Sequence, residues 1–324
     1  MREEIMVSIN CITYNQEEYI SEAIESFLMQ KTTFKYEILI HDDASTDNTA
    51  SIIKEYEEKY PHIIKPIYQK ENKYSKGIKI GYEYNVKRAK GKYIAMCEGD
   101  DYWIDPYKLQ KQVDYMELNP ECTLCMHEVK LIDASSKEST GFIKPYNYST
   151  KCSIEDMIIG GGGFVGTNSL LFPREIFENP PEWYFNCPVG DYPLQILLTY
   201  KGYAYYMNEN MSVYRTNAKN SWTEQMCTGK VEKWAKLMDD INTMLDEFDN
   251  FSSKQYNTVI CKTKKRNEFE KALVRADLQT LRNREFKEMY LKLDTKIKIK
   301  LLIKHRLPYS KKIVNFLRSK LQND

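Results

Sequence analysis

The sequence predicts an α/β fold with a mainly parallel central sheet flanked by helices. Three observations carry this expectation. Short apolar runs at 6–12, 36–40, 63–68 and 93–96 alternate with helix-like segments through the first third of the chain. Clusters rich in acidic residues follow the second and fourth runs directly. That is where open α/β sheets gather their ligands, beyond the carboxyl ends of the strands.

Taken in order, residues 6–12 read as the first strand. Residues 17–30 follow as an amphipathic helix with Ile20, Ala23, Ile24, Phe27 and Leu28 on one face. A second strand at 36–40 leads to a helix that Ser45 or Thr46 would cap and Pro61 would stop. The third strand, 63–68, a helical stretch at 82–89 and the fourth strand, 93–96, complete a β-α-β-α-β pattern. After Asp105-Pro106 a helix reaches Leu118. Short mixed strands are expected between 123 and 143, a strand at 165–172, a helix at 191–200 and a strand at 207–214. From Val231 the chain reads as helical, with breaks at 250–252 and 307–308. The predicted organisation is a catalytic domain at 1–225, with halves at about 1–118 and 119–225, and a helical, basic extension at 226–324.

Composition narrows the function classes. The chain of 324 residues is 42% hydrophobic and 29% charged, ordinary for a globular protein. No apolar stretch is long enough to span a bilayer. The N-terminus runs into a strand without the look of a signal peptide, and the eight cysteines are scattered; both fit a reducing cytoplasm. Cys122-x-x-Cys125 lacks a second pair at zinc-finger spacing. The net charge of +1 hides an asymmetry: from Lys262 onward there are 19 Lys and Arg against 7 Asp and Glu, leaving 28 against 39 elsewhere. Residues 310–321 place Ile313, Val314, Phe316, Leu317 and Leu321 on one helical face, with basic residues on the other. Such a face suits either an anionic membrane surface or packing on the chain itself. The basic run lacks the aromatics and modules of a nucleic-acid binder, so no nucleic-acid partner is expected.

Four segments carry chemistry. Residues 97–103 put Glu98, Asp100 and Asp101 just after the fourth strand. Clustered carboxylates repel one another and call for a cation or donor groups, and hard oxygens suit Mg²⁺ or Mn²⁺ on a diphosphate. A solvated acidic turn is the plain alternative. Thr13, Tyr14, Asn15, Gln16 and Glu17 close the first strand, where a base or phosphate docks, and Tyr14 offers a ring for stacking. Asp42 and Asp43 end the second strand; capping accounts for Ser45 and Asp47 but less well for two consecutive acids. Asp191, ahead of a helix, is a candidate general base or an N-cap. Lys70, Lys73 and Lys76 lie on a loop within reach of a diphosphate or are simply solvated. The glycine run 160–163 is a mobile element near the acceptor or a loose hairpin.

Ile12-Thr13-Tyr14-Asn15, then Asp42-Asp43-Ala44-Ser45-Thr46-Asp47, then Gly91-Lys92-Tyr93-Ile94-Ala95 leading into Glu98-Gly99-Asp100-Asp101-Tyr102-Trp103, resemble glycosyltransferase family 2. These are inverting enzymes of the GT-A fold, and the likeness is to the bacterial surface-polysaccharide type. It is dense from about residue 5 to 118 and recognisable to about 223. The resemblance implies that Thr13, Tyr14 and Asp43, with Asp42 close by, hold the nucleotide base, with Asn15, Glu17, Lys76 and Gly99 on the same wall. Glu98-Gly99-Asp100 stands at the family's Asp-x-Asp position, with Glu in place of the first acid. Asp100 or Asp101 would bind Mn²⁺ or Mg²⁺, and Glu98 would face the ribose. Asp191 matches the general base, Gly190 replacing the first member of the usual acid pair. Tyr214-Arg215-Thr216-Asn217 resembles a Tyr-Arg-x-His segment, with Asn217 in place of the His. Trp103, Gly163, Asn168, Arg215 and Asn217 are expected around the donor sugar and acceptor.

The implied activity is transfer of a hexosyl or N-acetylhexosaminyl group from a nucleoside-diphosphate sugar, UDP-linked, to a saccharide or lipid-linked saccharide. The expected place is the cytoplasm, peripheral to the membrane, with a homo-oligomer as a further option. The rival readings are a metal-dependent nucleotidyltransferase or phosphohydrolase, and a non-catalytic nucleotide-sugar-binding subunit.

Overall fold

The computed structural model describes residues 4–219, 221 and 231–306. The chain divides into two compact units, Met1–Thr228 and Gly229–Asp324. In the first unit, ten strands form one sheet: β1 (Ile5–Thr13), β2 (Lys35–Asp42), β3 (Ile64–Tyr68), β4 (Tyr93–Met96), β5 (Tyr102–Trp103), β6 (Cys122–Asp133), β7 (Ser139–Ile143), β8 (Thr150–Cys152), β9 (Leu171–Pro173) and β10 (Tyr203–Thr216). The spatial order is β3-β2-β1-β4-β9-β6-β10-β5, with β7 on β6 and β8 on β10. β3, β2, β1 and β4 are mutually parallel, as the alternating sequence pattern requires. β9 runs antiparallel to β4 and β6 and joins that half to the parallel pair β6–β10. Among the described residues the α-helices of this unit are α1 (Ile20–Leu28), α2 (Thr49–Lys59), α3 (Lys108–Leu118), α4 (Ile154–Gly160), α5 (Glu182–Asn186) and α6 (Asp191–Lys201). This is the α/β architecture expected, its parallel strands joined by the antiparallel β5, β7, β8 and β9.

The core explains why β1 sits at the centre. Val7, Ile9 and Cys11 pack with Ile20, Ala23, Ile24 and Phe27 of α1, all fully buried. The other face of β1 carries Ser8 and Asn10, also buried. Buried polar groups need partners. Ser8 donates to Glu37 at 2.6 Å and accepts from the Gly91 amide at 2.9 Å. The Asn85 amide group donates to Asn10 Oδ1, Cys11 O and Leu39 O at 2.8–3.1 Å.

Several elements depart from expectation for visible reasons. Asn85 spends its side chain on the sheet, and the helical stretch expected at 82–89 is a π-helix at Gly81–Asn85 followed by a 3₁₀ helix at Val86–Arg88 rather than a regular α-helix. α2 starts at Thr49, because the Ser45 hydroxyl bonds Asp42 and Asp47 accepts the Thr49 amide at 3.0 Å. The short strands expected at 123–143 are one long strand, β6, paired with β10 over its length, plus β7. The strand expected at 165–172 shrinks to β9, preceded by a 3₁₀ turn at Thr167–Ser169 that turns Asn168 inward.

In the second unit, helices span Val231–Phe251, Asn257–Arg275, Leu278–Leu281, Lys287–Lys292 and Thr295–Arg306. Phe269, Ala272, Leu278, Leu281, Phe286 and Leu301 form its own small core. The first break falls after Phe251, where Ser253 and Lys254 adopt positive φ, and a further break at Ala276 (φ +56°) was not foreseen. The break expected at 307–308 and the amphipathic face at 310–321 lie outside the described residues. No described helix is long and apolar enough to cross a membrane.

Candidate active site

The site is assembled at the carboxyl ends of β1, β2 and β4 and the start of α6. Register places Thr13 beside Asp42 across β1 and β2. The acidic turn leans on the end of β1 through Cys97 N to Asn10 O at 3.2 Å and Gly99 N to Ile12 O at 3.0 Å. A Cβ on Gly99 would lie 2.6 Å from Gln16 Oε1 and 2.7 Å from Thr13 Oγ1, so only glycine lets the turn approach β1 this closely.

The three acids of the turn differ in freedom. Asp101 is 1% exposed, and its oxygens accept from the Asn168 amide at 3.0 Å and the Arg215 backbone N–H at 2.9 Å. It therefore braces the turn, with its oxygens already committed to protein donors. Asp100 and Glu98 are half-buried. Burial first, then the negative charges of Asp100 and Asp191, push the Glu98 carboxyl up to about 8. Burial also raises Asp100, against the opposing effect of Arg215 and the Gln16 side chain. Asp191 begins α6, its Oδ1 accepting the Tyr192 amide at 2.8 Å. Burial raises its carboxyl above the usual range, while Lys79 pulls it down. The charge felt between Glu98 and Asp191 brings together two acids that lie far apart in sequence.

Other expected residues are placed as follows. Tyr14 is half-buried. Asn15 (φ +51°) accepts from Thr46 N at 2.7 Å, and Glu17 accepts from Asn48 N at 2.9 Å, so these two staple the β1–α1 turn to the β2–α2 loop. Asp42 is buried and accepts from Ser45. The Asp43 carboxylate accepts the amides of Lys73 and Tyr74 at 2.8 and 2.9 Å, which fixes the turn after β3. Lys76 pairs with Glu71 at 2.6 Å at an exposed position. Gly162 approaches Asp191, and Gly163 is exposed with open space around it.

Three residues expected around the donor sugar and acceptor are buried in the structure. Trp103 is 1% exposed, packed edge-on against Phe27 with its Nε1 donating to Asn168 O at 2.9 Å. It is a core residue that fixes the acidic turn. Asn168 is fully buried and braces Asp101, Val213 O and Ser212. Arg215, 2% exposed, donates to Asp100 O and Glu22, and lies against the rings of Tyr19 and Tyr102. All three support the turn from behind. Asn217 is exposed and donates to Asp133 at 2.7 Å, away from the acids of the turn in its contacts.

Sequence reasoning missed Tyr74 and Lys79. The Tyr74 phenol is pushed up to about 12 by burial and by the charges of Glu98 and Asp191. Neither residue stands in a motif. Among the described residues no three Asp, Glu, His or Cys side chains gather closely enough to hold an ion alone. Asp100 and Glu98 still fit a hard divalent cation, because two crowded, poorly solvated carboxylates gain from a positive charge between them. A cavity of about 190 Å³ lined by Asn15–Tyr19, Thr46, Asp47 and Lys219 contains none of these acids and is not the reaction centre.

The family model for glycosyl transferase family 2 matches residues 8–169. An uncharacterized protein of Mycobacterium tuberculosis strain H37Rv is 37% identical over 217 residues, 67% of this chain and 60% of that protein. The chain thus spans about 60% of the length of that relative. The Escherichia coli UDP-Glc:alpha-D-GlcNAc-diphosphoundecaprenol beta-1,3-glucosyltransferase WfaP is 39% identical over 113 residues, 35% of this chain and 41% of that protein. Among solved structures, Staphylococcus aureus TarS 1-349 in complex with UDP-GlcNAc has a similar fold, with a TM-score of 0.61 and 15% identity over 82% of this chain and 73% of that one.

Proposed function

The chain belongs to glycosyl transferase family 2, and on that premise we propose that it is an inverting glycosyltransferase taking its sugar from a UDP-linked donor. The acceptor is a saccharide or lipid-linked saccharide, and the setting is cell-surface glycan assembly. The observation that carries the reading is the convergence of Asp100 and Asp191 on Glu98, whose carboxyl feels both charges, while burial raises Asp191 above the usual carboxylate range. The name of the Escherichia coli relative, a UDP-Glc-dependent enzyme acting on a lipid-linked sugar, supports the donor and acceptor classes.

In this mechanism Asp191 accepts the proton of the acceptor hydroxyl as that oxygen attacks the anomeric carbon. The new O–C1 bond forms while the bond from C1 to the diphosphate oxygen breaks on the opposite face, which inverts the centre. A base with a raised pKa takes a proton more readily. Tyr14 and the β1 and β2 ends hold the base, and Asp43 sets the 73–74 turn beside it. Asp100 would hold Mn²⁺ or Mg²⁺, with Glu98 beside it on the ribose side, and the ion when bound neutralises the diphosphate leaving group. Asp101, Asn168 and Arg215 keep the turn rigid, so that the acids need no rearrangement on binding.

The test is nucleoside-diphosphate release from UDP-glucose, UDP-N-acetylglucosamine and GDP-mannose, with and without Mn²⁺, with a lipid-diphosphate GlcNAc acceptor. Release of UDP from a UDP-sugar is expected, with Asp191→Asn slowing it by about 10²–10⁴-fold while binding the donor normally. Release of inorganic phosphate or of a nucleoside monophosphate would favour a phosphohydrolase or nucleotidyltransferase. Full activity in Asp191→Asn would remove the base assignment.

A further inference from the structure

Lys79 lies between the turn fixed by Asp43 and the Gly81–Asn85 π-helix held to the sheet by Asn85. Its ammonium donates to Val189 O at 2.7 Å and to Cys187 O, and stands 5.7 Å from the Tyr184 ring centroid. Both carbonyls belong to the segment that leaves α5 and delivers Asp191 to the start of α6. A half-buried lysine costs desolvation, which is offset here by two carbonyl acceptors and by the nearby Asp191 charge. With two of its three N–H donors committed to backbone, this side chain acts as a clasp between the donor-side strand ends and the segment carrying the base.

We propose that Lys79 is a positioning residue: it fixes the 187–189 carbonyls so that Asp191 meets the acceptor hydroxyl in a productive geometry. This rests on the reading of Asp191 as general base. Removing the ammonium would leave two carbonyls short of a donor and loosen the segment ahead of α6. Misplacement of a catalytic group by about 1 Å can cost about a hundredfold in rate. A donor ligand would behave differently, since its loss would act on donor affinity.

The experiment compares Lys79→Met, Lys79→Arg and Asp191→Asn in the full chain. Turnover is read as UDP release from UDP-glucose and UDP-N-acetylglucosamine, and local order as amide hydrogen exchange. In Lys79→Met, kcat is expected to fall about 10–100-fold with donor KM within about twofold of the parent. Amides of 183–192 should exchange faster while those of β1 and β2 do not. Lys79→Arg, which keeps the charge and the donors, should recover most of both. Unchanged exchange in 183–192 overturns the proposal. So does a raised donor KM at constant kcat, which would make Lys79 a donor ligand. If Asp191→Asn turned over at the parent rate, the base assignment would fall. The exchange data do not depend on that assignment, so the two failures are told apart.

Discussion

Gly99 within the acidic turn and Asn168 behind it have separate tasks, and substitutions should separate them. Gly99 is held between Gln16 and Thr13 with no room for a methyl group. Gly99→Ala must push the turn away from β1, and overpacking of this kind costs about 1–3 kcal/mol. The expected result is a Tm lowered by several degrees and a loss of cation-dependent UDP-sugar binding, read by calorimetry. Asn168→Ala leaves Asp101 Oδ2, Val213 O and Ser212 Oγ without their common partner. Buried groups left unpaired cost about 1–3 kcal/mol, to be seen as a lower urea midpoint with an unchanged slope. A variant as stable as the parent would show that Asn168 is not the brace of this turn.

At the scale of elements, the β1–α1 turn and the β2–α2 loop act as one piece, because Asn15 and Glu17 cross-link them. Asn15 holds φ +51°, a conformation asparagine and glycine tolerate and alanine resists. Asn15→Ala loses both the backbone preference and the bond to Thr46, whereas Asn15→Gly loses the bond alone. Alanine should therefore destabilise more than glycine, by about 1 kcal/mol in denaturant unfolding; equal losses would assign the whole effect to the hydrogen bond. These elements also mark what was legible in advance. β1 to β4 and α1 were readable because both the apolar period and the turn residues point the same way. The β9 region was not, since Asn168 obeys a partner, Asp101, that lies 67 residues away. Trp103 and Arg215 looked like ligand contacts because Trp and Arg often are, and only burial shows them turned inward. The acids were legible only in company with the segments at 12–17 and 42–47, since alone the triplet reads equally as a solvated turn, and Asp101 is in fact a brace. Lys79 was invisible because its acceptors are backbone carbonyls, which leave no mark in a sequence.

At the scale of the whole molecule, the acid cluster links stability to pH. The Glu98 carboxyl stands near 8 in the folded chain, against an ordinary value of 4.5. Between those values the folded state holds a proton that the unfolded chain releases. Stability contributed by this group is therefore greatest at the acid end and falls as pH rises toward 8. Without divalent cation, Tm should drop between pH 6 and pH 8. Mn²⁺ should raise Tm more at pH 8, where fewer protons compete for the Glu98 carboxylate, than at pH 6. An equal rise at both values would separate the cation from this cluster.

The second unit raises a question of location. The stretch from Lys262 onward holds 19 basic against 7 acidic residues. In its helix Thr295–Arg306, Ile297, Ile299 and Ile303 are 43–50% exposed among Lys296, Lys298 and Lys300. Apolar side chains exposed between lysines match the two halves of a membrane interface, the acyl boundary and the anionic head groups. Each lysine near such a surface contributes about 1 kcal/mol at low salt, an attraction that falls off within a Debye length. The full chain is therefore expected to co-sediment with vesicles containing about a third phosphatidylglycerol at 0.1 M NaCl, and to release at 0.5 M. Replacing Ile297 and Ile303 by Ser should weaken binding at low salt by about tenfold, if each side chain inserts even half of its apolar surface. Binding to phosphatidylcholine vesicles as strong as to the anionic ones would refute the electrostatic part, and binding indifferent to the Ser pair would refute the apolar part.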